Sequence, residues 1–205
     1  MVSDSSNTNQ LLHRARAGDT TAFTELFARH EPQLKQFIQR RMDVRLRSRL
    51  DASDVLQDTH MEAFRRFDDY YDRRPMPFHL WLCKNAYERL LNLRRDHITT
   101  QRRSIVREQS VLDPSSHAIA VAFVDQLDSP SEQVSKLEFR QRVAELVRQL
   151  PDLDQEVLLL RNVEGHSHQD IACILDIEPA AARKRYARAL IKLERLLVES
   201  DLLDE

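Results

Sequence analysis

Glycine is nearly absent from this chain: two residues in 205. Chains built of tight turns and sheet sandwiches use far more, so the shortage favours helices over strands. Cysteine is equally scarce, with Cys83 and Cys173 standing far apart in sequence. That spacing fits neither a disulfide framework nor a zinc site, and both cysteines read as reduced core thiols within helical patterns. No segment resembles a signal peptide, and no apolar run approaches the ~20 residues a membrane span needs. Membrane insertion is therefore not expected, and the cytoplasm is the expected compartment. Excess charge of one sign is also missing, the formal net charge being -2. A wholly electrostatic nucleic-acid coat is excluded, so any such contact must be local.

What the chain does have is 31% charged and 41% hydrophobic residues arranged with helical periodicity. The opening "MVSDSSNTNQ" has little to bury, and residues 1–10 are expected to form a disordered tail. From Leu11 apolar residues recur at three and four, with Asp19 as an N-cap between two helices and Pro32 expected to kink or divide the second. "LDASDVLQDTHMEAFRRFDDYY" carries a capping pair, Asp51 and Asp54, ahead of Val55, Leu56, Thr59, Ala63, Phe64 and Phe67, expected on one apolar side. The stretch "DDYYDRRPMP" reads as a loop. Helical spacing resumes from Phe78 to about His97, with Trp81 expected to be buried.

Periodicity fades over 98–128, which reads as a flexible linker, although its apolar patch at 118–124 fits either a short packed helix or a segment that folds on a partner. "SPSE", with Ser129 at the N-cap, opens a second block. Helices are expected at about 130–149, 152–163, 168–175 and 179–198, followed by an acidic tail at 199–205. The fold class is all-α: two small helical domains, 11–97 and 129–198, joined by a linker.

The last long helix concentrates cations. Arg183, Lys184, Arg185, Arg188 and Lys192 follow Pro179 with no acid before Glu194. At ~100° per residue, Lys184, Arg188, Lys192 and Arg195 share one side, opposite Ala182, Tyr186, Ala189, Leu190, Leu193 and Leu197. Before it, "SHQDIACILDIEP" supplies an N-cap at Ser167, core positions Ile171, Leu175 and Ile177, and Asp176 at the turn. The two segments form a helix-turn-helix pattern, whose second helix lies in the major groove of DNA. Arg183, Lys184 and Arg185 then fall where side chains reach base edges, and Arg188 and Lys192 where they meet phosphate.

At this point the chain resembles the extracytoplasmic-function sigma factors, the sigma-70-type subunits of bacterial RNA polymerase with only regions 2 and 4. The resemblance covers Leu11 to His97 and Ser129 to Leu197. It rests on "DASDVLQDTHMEAF" and "PFHLWL" in the first half, and on "LPDLDQEVLLLRNVEGHSHQDIACILDIEPAAARKRYARALIKL" in the second. "EPAAARKRYARAL" departs from the commoner wording, which has a serine cap and a Gly-Thr-Val step, so base preference does not carry over.

The resemblance implies that the polar stripe of Asp54, Gln57, Asp58 and Glu62 docks on the clamp helices of the polymerase core. It implies that the next loop and helix capture the minus-ten element, with Tyr70, Tyr71 and Phe78 as stacking faces and Arg73, Arg74, Arg89, Arg94 and Arg95 as phosphate partners. The second domain would hold the minus-thirty-five element. Core polymerase and promoter DNA are the implied partners, and an anti-sigma factor is one the family allows. No catalytic residues, cofactor or metal are expected: His166 and His168 lack a third ligand, and no nucleophile motif or glycine-rich phosphate loop is present. The competing reading is a LuxR-type regulator, which shares the helix-turn-helix but has no counterpart of "SDVLQDTHMEAF".

Overall fold

The computed structural model describes residues 6–101, 114–125 and 133–202. Their regular structure is all helical, with no strand among the described residues. The chain divides into two compact units, Met1–Arg107 and Glu108–Glu205.

In the first unit α1 (Ser6–Arg16) packs on α2 (Thr20–Arg41), the short α3 (Val44–Arg47) follows, and α4 (Ala52–Arg65) and α6 (Phe78–Gln101) pack on α2 and on each other. Helix α1 begins inside the expected tail, because Thr8 is buried and anchors its first turns. Asp19 caps α2, its carboxylate accepting from the Thr21 and Ala22 amides at 3.0 and 3.1 Å. Pro32 neither divides nor ends α2. It lies on the exposed side, where the carbonyl deprived of its amide partner faces water while Leu34, Phe37 and Ile38 stay buried. Asp51 and Asp54 form a capping box at the start of α4.

The expected loop after α4 is largely helix. Phe67 and Tyr70 are buried, and packing them winds residues Phe67–Arg73 into α5. The core is aromatic. Phe23 sits 5.2 Å from both Phe64 and Phe67 and 6.4 Å from Phe78, while Tyr70 stacks on Trp81 at 4.5 Å.

The second unit contains α7 (Pro114–Val124), α8 (Gln133–Val147), α9 (Asp152–Leu158) continued by a π-helical turn (Leu159–Val163), α10 (His168–Leu175) and α11 (Pro179–Glu199). Much of the expected linker is therefore structured. Helix α6 extends to Gln101, and α7 occupies 114–124. Ile119, Ala120 and Val124 of α7 are buried with Val143, Val147, Leu158 and Leu159, which settles the apolar patch as a packed helix. Asp125, just past α7, pairs with Arg140 of α8 at 2.6 Å. The Ser129 cap lies outside the described residues. The expected tail from residue 199 begins with the last residue of α11, and Leu202 packs back on the core.

Ser167 and Asp170 form a capping box at α10, and Asp176 ends that helix in the left-handed conformation (φ 56°). Both glycines are spent at left-handed positions: Gly18 (φ 94°) between α1 and α2, and Gly165 (φ 73°) before α10. Cys83 and Cys173 are half-buried, more open than core thiols.

Candidate protein and nucleic-acid interfaces

The capping box aims the N-terminal half of α4 outward on one side. Val55, Leu56, Thr59 and Ala63 face the core, so residues at three- and four-residue spacing opposite them face solvent. Asp54 and Gln57 are exposed, and Asp58 and Glu62 are half-buried. Three of the four already have intramolecular work. The Asp54 carboxylate accepts the Asp51 amide at 2.9 Å. Asp58 takes a two-pronged contact from Arg89 of α6, Nε at 3.0 Å and Nη2 at 2.7 Å. Glu62 pairs with Arg65 and Arg66 at 2.6 and 2.7 Å, and Arg66 reaches Glu88 at 3.0 Å.

Arg89, expected to meet phosphate, is thus tied to a residue expected to meet protein. The stripe also includes an apolar member that the sequence reading passed over: Met61 is 54% exposed, with Phe64 at 49% on an adjoining side. Their exposure was hidden because Phe64 falls on the apolar spacing of α4 and a sequence gives no depth.

Around α5 the candidate stacking residues separate. Tyr70 is 4% exposed, sandwiched on Trp81, with its hydroxyl donating to the Met76 carbonyl at 3.1 Å, and Phe78 is fully buried. Both belong to the core in this structure and offer no face to a base, because the same aromatic packing that makes α5 helical encloses them. Tyr71 is different. Half-buried, it has its hydroxyl 2.6 Å from His13 Nδ1 and the Arg74 guanidinium 4.4 Å above its ring. Arg16 of α1 pairs with Asp68 and Asp72 of α5 at 2.7 and 3.1 Å, fixing α5 against α1. Arg74 stands in the left-handed region (φ 39°) as the C-cap of α5, and Arg73 beside it is exposed. Farther along α6, Arg94 donates to the Arg41 carbonyl at 2.7 Å, and Arg95 is exposed and bonded to Asn92.

In the second unit α10 and α11 form the expected helix-turn-helix pair. Helix α11 starts at Pro179 after Glu178, whose side chain makes no cap bond. Its buried stripe is Ala182, Ala189, Leu193 and Leu197. Arg183, Lys184 and Arg188 are exposed and Lys192 is half-buried. Arg185 is not among the exposed cations: its Nη1 lies 2.9 Å from Asp154 Oδ1 of α9. One residue on, the Tyr186 hydroxyl donates to Asn162 Oδ1 of the π turn at 2.9 Å. The ring of His168 packs 5.4 Å from that of Tyr186. Desolvation there, with Arg161 and Arg183 adding to it, holds the His168 pKa below its ordinary value, so the imidazole stays neutral at pH 7.

Among the described residues the structure is all helix, with a polar stripe on α4 in one unit and a basic helix-turn-helix in the other, the architecture of a DNA-binding protein. Family models for Sigma-70 region 2 and Sigma-70, region 4 match residues 26–103 and 140–193. This chain belongs to the sigma-70 family, in its extracytoplasmic-function group. The ECF RNA polymerase sigma-E factor of Haemophilus influenzae is 26% identical over 184 residues, covering 90% of this chain and 92% of that protein. The RNA polymerase sigma factor CarQ of Myxococcus xanthus is 29% identical over 192 residues, covering 93% and 98%. The fold is shared with CnrH, solved in complex with the cytosolic domain of CnrY (TM-score 0.57, 24% identity, covering 95% of this chain and 99% of that one). It is shared also with the sigma factor RpoE of Bartonella quintana, solved with the anti-sigma factor NepR (TM-score 0.56, 19% identity, covering 85% and 96%). Among the described residues no helix is long and apolar enough to cross a membrane.

Proposed function

We propose that this chain is an initiation subunit of RNA polymerase: it binds the core enzyme through α4, reads duplex DNA upstream through α11, and holds a melted strand beside α5 and α6. The observation that carries this reading is the presence, in order on one chain, of both sigma-70 regions, the first with exposed polar residues on α4 and the second with exposed cations on α11. The LuxR-type alternative lacks an account of the first region.

In this reading the core-facing surface is Asp54, Gln57, Asp58 and Glu62 with Met61 at its centre. The minus-ten contacts come from Tyr71, Arg73, Arg74 and Arg95, with Tyr71 supplying the stacking face. Arg89 and Arg94 act on DNA only through the geometry of α6, since their guanidiniums are bonded within the protein. The minus-thirty-five duplex meets Arg183 and Lys184 near the start of α11 and Arg188 and Lys192 farther along, the first pair at base edges and the second at phosphates. The chain supplies binding and no bond-making chemistry; the reaction belongs to the polymerase. It works in the cytoplasm, and an anti-sigma factor, as found with RpoE, is a fitting antagonist.

The stripe has one clean probe. Asp54 also caps α4 and Asp58 also holds Arg89, so changing either disturbs the fold as well as the surface. Gln57 is exposed and makes neither contact. Gln57→Arg should weaken association with purified core polymerase, measured by co-elution on a sizing column, without changing the affinity of the chain for duplex DNA. Core association that is unchanged in Gln57→Arg and in Met61→Asp would remove α4 from the polymerase interface.

A further inference from the structure

Within the proposed reading, α11 is the helix that enters the groove, and the five cations at its start and middle look interchangeable in sequence. They are not equivalent in space. Arg185 stands three residues after Ala182 and four before Ala189, both fully buried, so it borders the inward stripe of α11 and not its solvent face. Its side chain is 30% exposed and its partner Asp154 only 13%, with 2.9 Å between Nη1 and Oδ1. A charge pair shielded on both sides is held more firmly than a surface pair, and undoing it leaves a carboxylate with little access to water. The adjacent Tyr186–Asn162 hydrogen bond, 2.9 Å, ties the same turn of α11 to the π turn that continues α9. Two consecutive residues thus fasten the first half of α11 to α9 and its extension, at points on either side of the inward stripe. Rotation of α11 about its own axis would break both.

We infer that Arg185 is a positioning residue: through Asp154 it sets the rotation of α11, and so decides which of Arg183, Lys184 and Arg188 meets which base pair, without itself reading a base. A helix in the major groove presents different side chains to the groove floor with each ~100° of turn, so a small rotation moves every contact together. The cost of losing the tether therefore falls on sequence-specific binding, which requires one register, more than on phosphate contacts, which tolerate several.

Charge makes the test decisive. Asp154→Asn removes a negative charge from the DNA-binding unit, and electrostatics alone would tighten binding to any duplex. If Arg185 were a base reader, freeing it from Asp154 would tighten binding further. A positioning role predicts the opposite for specific DNA. The full-length chain is first used to select its preferred duplex from a random-sequence duplex pool; that duplex and an unrelated one are then titrated by fluorescence anisotropy, well below the unfolding temperature.

Arg185→Ala and Asp154→Asn should each lower the ratio of selected to unrelated affinity by about ten-fold, and the double variant should lose no more than either single, as expected for one coupled pair. The charge-swapped variant, Asp154→Arg with Arg185→Asp, should recover most of the ratio, which a base-reading arginine cannot do and which a loss of folding in the single variants does not affect. Asp154→Asn binding its selected duplex as tightly as wild type or more tightly would overturn the inference, as would a folded charge swap with no recovery. A wild-type chain that selects no duplex would contradict the promoter-binding reading itself and this inference with it.

Discussion

At the scale of single residues, neighbouring side chains of the same type have opposite fates. Tyr70 and Tyr71 are adjacent, yet one stacks on Trp81 at 4.5 Å inside the core and the other sits at the surface under Arg74. Tyr70→Ala should cost about 3 kcal/mol of stability, the range for emptying a buried aromatic site. Tyr71→Ala should cost less than about 1 kcal/mol while weakening open-complex formation. Urea unfolding compared with potassium permanganate reactivity of promoter thymines would separate the two, and equal effects of both variants on stability would contradict the assignment.

Asp19 offers a second test, through pH. Its carboxyl is pushed down to about 2 by the Thr21 hydroxyl, then by Arg14 and the Ala22 amide. A depressed carboxyl contributes stability that is full above the ordinary value near pH 4 and lost as pH falls through about 2. Asp19→Asn, which can still cap but does not titrate, should be less stable than wild type at pH 6, and the gap should close toward pH 2. A gap that stays constant in thermal melts across that range would show that the charge of Asp19 contributes nothing.

At the scale of elements, what could be read from sequence was what is decided locally. The caps at Asp19, Asp51 and Ser167 and the left-handed Asp176 follow from side chains within a few residues of their targets, and helices α10 and α11 were legible from period and caps together. The parts that escaped depend on distant partners. Pro32 signals a break, but its missing bond falls on the wet side of α2, where water replaces it. Residues 68–73 have turn-like composition, and only the aromatic core beneath Phe67 and Tyr70 makes them helical.

Helix α7 is apolar on all sides and gives no amphipathic signal; its role appears once α8 and the π turn are present to cover it. The candidate site divides the same way. Lys184 and Arg188 were legible as a solvent face, whereas the capture of Arg185 by Asp154 joins residues 31 apart and has no local trace. Because α7 completes the second core, Ile119→Ala should destabilise that unit by about 2 to 4 kcal/mol. Tryptophan is confined to the first unit, so the change should appear in far-ultraviolet circular dichroism during urea unfolding and not in Trp81 fluorescence. An unchanged circular dichroism transition would detach α7 from the core.

At the scale of the whole molecule, a formal charge of -2 conceals a division of labour. The exposed cations of α11 gather positive charge on one helix face, while the acids of α4 lie on another element in the other unit. On the proposed reading, a near-neutral chain with local charged faces should bind DNA weakly on its own and gain affinity when core polymerase supplies the rest of the interface, as two linked sites raise each other's effective concentration. Promoter binding by the isolated chain should therefore fall steeply with salt, and the holoenzyme should bind the same duplex at salt concentrations that release the chain alone.

The central claim is that the two regions act together to start transcription. Core RNA polymerase, freed of other sigma factors, would be incubated with this chain on a library of chromosomal fragments, and the 5′ ends of the RNA sequenced. The account predicts starts at a defined set of positions that are absent with core alone and share upstream sequence at two separated elements, and it predicts that Gln57→Arg reduces these starts. Scattered starts identical to those of core alone, from a folded chain that still binds duplex DNA, would contradict it.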